Sequence, residues 1–274
     1  MAMNSDVVNA MTLVAMDNTQ AKPNKRFIII PACDEEKRLG GTLNSYASYF
    51  SKAAIDDFEI MVVCNGCHDT TPQIAEDFSR RFPQIKVLHI PEKIGKGGAL
   101  KKGMEMACGD TVAFVDADGS ITPNELHRLI NEMGDVDVVI GSRWLPGANI
   151  LVKQSLKRRI TSRGFNLLVR LLLGLPFKDT QCSAKAFTKR AIDEVVSQLQ
   201  TNNFAFDVEL LYRLRKNGHQ VKEVPTTWEN KDGSTLSITK AIPTMLFTVV
   251  RLRLEDSRFK RMVPYRNHIQ SRER

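Results

Sequence analysis

Short β-branched apolar runs alternate with longer segments of mixed polarity over most of this chain. Phe27-Ile28-Ile29-Ile30 stops at Pro31. Further runs follow at Glu59-Ile60-Met61-Val62-Val63, Lys86-Val87-Leu88-His89-Ile90, Thr111-Val112-Ala113-Phe114-Val115 and Val136-Asp137-Val138-Val139-Ile140. Between them, helical patterns extend from about Glu36 to Lys52, Thr71 to Arg81, Gly98 to Cys108 and Pro123 to Met133. Nearly continuous apolar strands separated by helices predict an α/β fold, a mostly parallel sheet with helices on both faces. In such sheets ligands bind beyond the carboxyl ends of the strands. The residues just after each run are therefore where chemistry is expected.

Charge sharpens this picture. Lys and Arg number 39 against 31 Asp and Glu, a net charge of +8. Such a surplus favours a phosphate-bearing partner. It is unevenly spread: Val138 to Lys178 contains no acid, yet holds Arg143, Lys153, Lys157, Arg158, Arg159, Arg163, Arg170 and Lys178. The stretch from Arg251 to Arg274 is basic again, after the mostly apolar segment Ala241 to Val250. With 26% charged and 42% apolar residues, the composition is that of a globular chain rather than a disordered or fibrous one. Five cysteines, an odd number, argue against a disulfide framework and for a reducing compartment. No apolar run reaches the roughly 20 residues that cross a bilayer, and the first 25 residues lack a targeting pattern. The expected organisation is a flexible extension over 1–25, one domain over 26–238, and an amphipathic segment with a basic tail over 239–274.

The sharpest local signal is Asp116-Ala117-Asp118, directly after Phe114-Val115. Two carboxylates at i and i+2 on a strand end suit a hard divalent cation that also touches diphosphate oxygens; a solvated acidic turn is the plainer reading. Lys93-Ile94-Gly95-Lys96-Gly97-Gly98 is a basic, glycine-rich loop opening a helix, where amides and lysines can meet phosphate. Its spacing matches neither a Walker loop nor a dinucleotide fingerprint. Pro31-Ala32-Cys33-Asp34-Glu35 and Cys64-Asn65-Gly66-Cys67-His68-Asp69-Thr70-Thr71 follow the first two strands. Their polar groups suit a base and ribose, while Asp69 or Thr71 also reads as a helix N-cap. Cys64 and Cys67 form a C-x-x-C with no second pair at ligand spacing, so neither zinc nor redox chemistry is expected of them.

Taken in order, these elements resemble a known family. Pro31 to Glu35 matches P-A-Y-N-E, Val63 to Thr71 matches V-D-D-G-S-x-D-x-T, Lys93 to Ala99 matches N-x-G-K-G-x-A, and Asp116 to Asp118 matches D-A-D. Gly141-Ser142-Arg143, the stretch Asp179 to Lys185 (D-T-Q-C-G-x-K) and Phe206 to Leu211 (F-D-V-E-L-L) follow. From about residue 26 to 254 the chain resembles the inverting family-two glycosyltransferases of GT-A fold, and among them the polyprenyl (dolichyl) phosphate sugar synthases. The late motifs look most like the glucosyl branch, which uses UDP-glucose; the mannosyl branch, which uses GDP-mannose, shares most of them. Cys33 replaces Tyr, Cys64 and Asn65 replace two Asp, Cys67 replaces Ser, Lys93 replaces Asn and Ser183 replaces Gly, so the donor base stays open.

The resemblance implies a GT-A, Rossmann-like fold and a nucleotide-sugar site drawn from Pro31, Ala32, Asp34, Glu35, Asn65, Lys96, Gly97, Asp116, Ala117 and Asp118. It implies Mg²⁺ or Mn²⁺ on Asp116 and Asp118, with Arg143, Arg158 and Ser162 around the acceptor phosphate. Asp179, Gln181 and Asp207 would order a loop over the sugar, or equally make structural pairs. A lipid phosphate is already anionic and needs no strong base; it needs positive charge to approach an anionic donor, which the acid-free stretch supplies. A soluble or polysaccharide acceptor would call for a carboxylate base, with Asp207 or Glu209 as candidates. A non-enzymatic basic adaptor for membrane or nucleic acid explains the charge but leaves the paired carboxylates without a role. The expected partners are thus a nucleotide-sugar, polyprenyl phosphate and an anionic membrane surface, not nucleic acid, on the cytoplasmic face. The apolar positions Leu156, Ile160, Leu167, Leu168, Leu171 and Leu172, with Met245 to Leu254, either lie in that interface or pack on the sheet.

Overall fold

The structure, a computed structural model, describes residues 25–52, 57–152, 156–229, 231 and 238–255; the side chains of 156–158 and 238–241 are outside the description. The expected N-terminal extension up to residue 24 and the basic tail after Glu255 lie outside the described residues.

The elements run β1 (Arg26–Ala32), α1 (Leu39–Lys52), β2 (Phe58–Asn65), α2 (Thr71–Arg81), β3 (Ile85–Ile90), α3 (Gly95–Glu105), β4 (Thr111–Phe114), α4 (Pro123–Asn131), β5 (Val138–Ser142), β6 (Asn149–Val152), α5 (Leu156–Leu173), β7 (Lys185–Thr188), α6 (Lys189–Val195), a 3₁₀ turn (Val196–Gln198), α7 (Phe206–Lys216), β8 (Val221–Pro225), β9 (Thr227–Glu229) and α8 (Ile238–Glu255). Seven strands form one sheet in the order β3-β2-β1-β4-β7-β5-β8, and β6 pairs with β9 in a second, small sheet.

Alternation along β1 divides the core in two. Ile28 and Ile30 join Leu39, Leu43, Tyr46 and Phe50 of α1 and Leu126 and Leu129 of α4 on one face. Phe27 and Ile29 join Leu100 and Met104 of α3, Leu210 and Leu211 of α7, and Val249 and Leu252 of α8 on the other. The strand period of two sends neighbours to opposite faces, and burying each such side chain contributes about 1.5–3 kcal/mol. The fold is thus the expected mostly parallel sheet with helices on both faces.

The structure departs from the sequence reading in three places. First, α1 starts at Leu39 rather than near Glu36, because residues 34–38 are held as a turn: Asp34 has φ of 55° and the Arg38 N–H donates to the Glu35 carbonyl at 3.0 Å. Second, α3 starts at Gly95, ahead of the expected Gly98, and ends at Glu105. Third, β7 is antiparallel to both β4 and β5. The strand begins at the edge where its neighbours end, with Lys185 opposite Phe114 and Ile140. That reversal brings residues 179–185 to the carboxyl edge beside Asp116.

Candidate active site

At the first two strand ends, a web of side chain to backbone bonds ties the loops together. Asn65 Nδ2 donates to the Ala32 carbonyl at 3.3 Å. The Asn65 Oδ1 is buried and has no partner among the described residues. Asp34 accepts from the His68 amide at 2.7 Å, and the Glu35 amide donates to Thr71 Oγ1 at 2.7 Å. Glu35 itself is gripped by Arg38 through two nitrogens, at 2.7 and 2.6 Å. Burial, with Asp118 and Asp116 nearby, raises its carboxyl above the ordinary value, and Arg38 opposes that shift. Asp34 in the left-handed region is backbone strain of the kind that persists where surroundings over-determine a loop. Pro31 and Ala32 close β1 beneath this web. The cap of α2 is Thr70, whose side chain makes no capping bond; Asp69, one residue earlier, accepts from the Thr71 amide at 2.9 Å.

Beyond β4, Asp118 accepts from the Ser120 amide at 2.9 Å and from its hydroxyl. The Ala117 carbonyl accepts from Thr42 Oγ1 at 2.8 Å, which fixes the turn between the two carboxylates. Asp116, one-third exposed, meets Lys96 Nζ at 2.6 Å. Burial raises the Asp116 carboxyl, but the Lys96 ammonium, a bond from Ser183 and the charge of Lys185 outweigh it, and the net shift is downward. Lys96 is held charged for the matching reason: Asp116 and Asp207 overcome the opposing effect of burial.

The glycines on either side of Lys96 serve packing. A Cβ on Gly97 would stand 2.5 Å from the Thr201 carbonyl, and one on Gly95 2.4 Å from that of Asn202. The Gly97 N–H donates to Asn202 at 2.9 Å. That amide is therefore bonded within the protein, and the charged group this loop presents at the strand edge is Lys96.

Arg143 at the end of β5 forks onto Asp179, with Nε at 2.7 Å and Nη2 at 3.0 Å, and its amide adds a third bond at 3.0 Å. Asp179 is fully buried. Burial raises its carboxyl, Arg143 more than compensates, and the net shift is downward. Trp228 stands under the guanidinium, 5.4 Å from ring centre to Cζ. Gln181 donates its amide to Asp179 at 3.2 Å and leaves a buried Nε2 without a partner among the described residues. Asp207, on the first turn of α7, pairs with Lys185 at 2.5 Å, both almost fully buried. Ser162 lies on α5, its carbonyl bonded by Asn166 Nδ2 at 3.0 Å. Arg158 falls in α5, but its side chain lies outside the described residues.

The structure thus gathers Lys96, Asp116, Asp118, Asp179, Arg143 and Asp207 along one edge, with Asn65 and Glu35 at the β1–β2 end. Lys185 and Ser183 were not singled out as site residues in the sequence. The available signal was a lysine inside an apolar strand, which requires a buried carboxylate partner. Among the described residues no three His, Cys, Asp or Glu converge as a ready metal set. Asp116 and Asp118 are two hard oxygen donors and fit a divalent cation whose remaining positions are filled by a ligand's own oxygens. The C-x-x-C thiols are free, and burial pushes Cys64 up to about 12, leaving it protonated near neutrality.

A family model described as Glycosyl transferase family 2 matches residues 27–196. Glycosyltransferase AglD of Haloferax volcanii is 31% identical over 82% of this chain, a match spanning 36% of that longer protein. The dolichyl-phosphate beta-glucosyltransferase of Dictyostelium discoideum is 31% identical, with 82% of this chain and 73% of that one covered. Among solved structures, glucosyl-3-phosphoglycerate synthase from Mycobacterium tuberculosis, in complex with Mn²⁺, UDP and glucosyl-3-phosphoglycerate, superposes with a TM-score of 0.61. It covers 85% of this chain and 79% of that one at 17% identity, a likeness of fold.

Proposed function

The chain belongs to glycosyl transferase family 2 and is a glycosyltransferase, and on that premise we propose that it moves glucose from UDP-glucose to the phosphate of a polyprenyl (dolichyl) phosphate, with inversion, at the cytoplasmic surface of a membrane. The observation that carries the choice of acceptor is the state of the carboxylates around the site. Asp179 is forked by Arg143, Asp207 is buried against Lys185, and Glu209, fully buried, faces Arg213 and Arg251. None of these three is placed to take a proton from an alcohol. A phosphate acceptor asks for no such base, because its oxygen is already anionic at neutral pH. Identity of 31% to a dolichyl-phosphate beta-glucosyltransferase supports the same acceptor and sugar.

In the proposed reaction an acceptor phosphate oxygen forms the bond to the anomeric carbon. The bond from that carbon to the nucleotide's β-phosphate oxygen breaks, and UDP departs with the electron pair. Lys96 is the residue free to serve the departing diphosphate, since its present partner Asp116 is one-third exposed and can exchange it. Asp116 and Asp118 would hold Mg²⁺ or Mn²⁺, which when bound neutralises charge on the leaving group. The Asn65 carbonyl oxygen, buried and without a partner among the described residues, supports a place for this side chain at the base end of the donor. Arg143, fixed by Asp179, presents its remaining edge in one orientation, and Gln181 Nε2 is a further unspent donor beside it. Arg158 and Ser162 complete the proposed acceptor side.

The membrane part of the reading rests on α5 and α8, which pack together. Ile160, Leu167 and Leu171 on α5 and Leu246, Phe247 and Val250 on α8 are exposed at helical spacing. Arg163, Arg170 and Arg253 are exposed on the same two helices. An apolar stripe edged by arginines matches an anionic lipid surface. No helix among the described residues is long and apolar enough to cross a membrane.

Offering the enzyme a short polyprenyl phosphate and the corresponding polyprenol, each with UDP-glucose or GDP-mannose, tests the reading. Transfer to the phosphate alone, from UDP-glucose, is expected. Transfer to the alcohol at a comparable rate would overturn the acceptor argument, and preference for GDP-mannose would overturn the donor.

A further inference from the structure

Glu209 has no exposed surface, and all of its contacts are with the protein's own groups. One of its oxygens accepts the amides of Gln200 and Thr201, at 3.0 and 2.7 Å. The other faces Arg213 and Arg251, each at 3.3 Å. Arg251 grips the same two loop residues from outside, donating to Gln200 Oε1 at 2.6 Å and Thr201 Oγ1 at 3.0 Å. A carboxylate of α7 and a guanidinium of α8, themselves in contact, thus hold one short stretch of chain together.

That stretch is the one wedged against α3. Lys101 of α3 donates to the Leu199 carbonyl at 2.7 Å. Asn202 accepts from Gly97 at 2.9 Å, and the carbonyls of Thr201 and Asn202 occupy the space that side chains on Gly97 and Gly95 would fill. Lys96 stands between those two glycines. Its ammonium meets Asp116 at 2.6 Å, while the backbone of its two neighbours is held against Thr201 and Asn202.

We infer that Arg251 and Glu209 are positioning residues for Lys96, so that α8, the helix carrying the exposed apolar stripe, and the donor-diphosphate lysine form one mechanical unit. The inference rests on the donor-site reading of Lys96 and adds to it a dependence on α8. The link is contiguous: Arg251 to Thr201, Thr201 to Asn202, Asn202 to Gly97, Gly97 to Lys96. Spatial continuity alone is not coupling, so a perturbation at one end must be read at the other. Arg251 suits the test because it lies on the last turns of α8, partly exposed, and contacts no proposed substrate group.

The experiment uses the full chain as wild type, Arg251→Met and Arg251→Lys, with Lys96→Met for comparison. Backbone hydrogen exchange of the segments 95–101 and 199–205 is measured without ligand. Binding of UDP-glucose and KM for a short polyprenyl phosphate are measured with Mn²⁺ in detergent, where no vesicle surface is needed. Arg251→Met is expected to speed exchange in both segments and to weaken UDP-glucose binding about tenfold, a size typical of losing a site-ordering contact. The acceptor KM should not change, and Arg251→Lys should recover part of both effects. Unchanged exchange at 95–101, or equal weakening of donor and acceptor, would overturn the inference. If wild type binds no UDP-glucose, the functional reading fails, while the exchange data still decide whether Arg251 restrains the helix of Lys96.

Discussion

Two lysine–aspartate pairs flank the edge where β4 meets β7, and they are chemically the same. Lys96–Asp116 closes to 2.6 Å, with side chains 15% and 35% exposed. Lys185–Asp207 closes to 2.5 Å, with exposures of 0% and 3%. The difference lies in access to water, and on the proposed reading it separates the roles. Separating the first pair returns both charges to partial solvation, so each can take a new partner: a diphosphate for the lysine, a cation for the carboxylate. Separating the second strands a charge in the core. On that reading the first pair is a resting state of the site, and the second is part of its foundation.

The comparison breaks most visibly through turnover. Asp116→Asn and Asp118→Ala are each expected to reduce sugar transfer by about 10³-fold, the scale of losing a preorganised electrostatic contact to the leaving group. The thermal midpoint should stay near that of wild type. A large loss of stability in Asp116→Asn would place that pair with the foundation after all.

Lys185→Met reverses the pattern. Leaving Asp207 buried without its cation should cost about 3–5 kcal/mol in urea denaturation. The double variant Lys185→Met/Asp207→Leu should recover most of it. Recovery of stability without recovery of transfer would show that the buried pair also acts on Asp116, through the charge of Lys185.

A third test uses pH. The Asp179 carboxyl sits below the usual 3.8, because Arg143 outweighs the effect of burial. A carboxyl depressed in the folded state contributes stability above its unfolded value, and that contribution is lost as pH falls from 3.8 through the lower folded value. Arg143→Met should lift that folded value, so the gap in stability between variant and wild type narrows as pH falls from the variant's folded value to the lower wild-type one. A gap that stays constant with pH would remove the ion pair as its cause.

Several of these elements were legible in the sequence, and the reasons are local. Strand ends are visible where an apolar run stops, so Asp116-Ala117-Asp118 was placed at a carboxyl edge from its neighbours alone. The bounds of α2, Thr71 to Arg81, follow from Pro72 near its start and an amphipathic pattern. What could not be read depends on partners distant along the chain. Arg143 meets Asp179 36 residues later, and the acid-free stretch cannot reveal a counter-ion that lies just beyond it. The reversal of β7 rests on four residues whose direction is set by β4 and β5. Gly97 looked like a phosphate cradle because glycine marks close approach without naming what approaches; here it is the Thr201 carbonyl.

The smallest expected effect concerns the outer face of α8. Phe247 is 71% exposed, so Phe247→Ser should leave folding intact while lowering partition onto anionic vesicles by about tenfold, as partial loss of one aromatic's burial allows. Partition that responds to salt but not to this change would assign surface binding to the arginines alone.

The most direct measurement is transfer of radiolabelled glucose from UDP-glucose to a short polyprenyl phosphate, with Mn²⁺ and then with excess EDTA. A glucosylated polyprenyl phosphate is expected with Mn²⁺ and almost none with EDTA. Full transfer in EDTA would contradict the role given to Asp116 and Asp118. No lipid product, with UDP-glucose nonetheless bound, would contradict the acceptor.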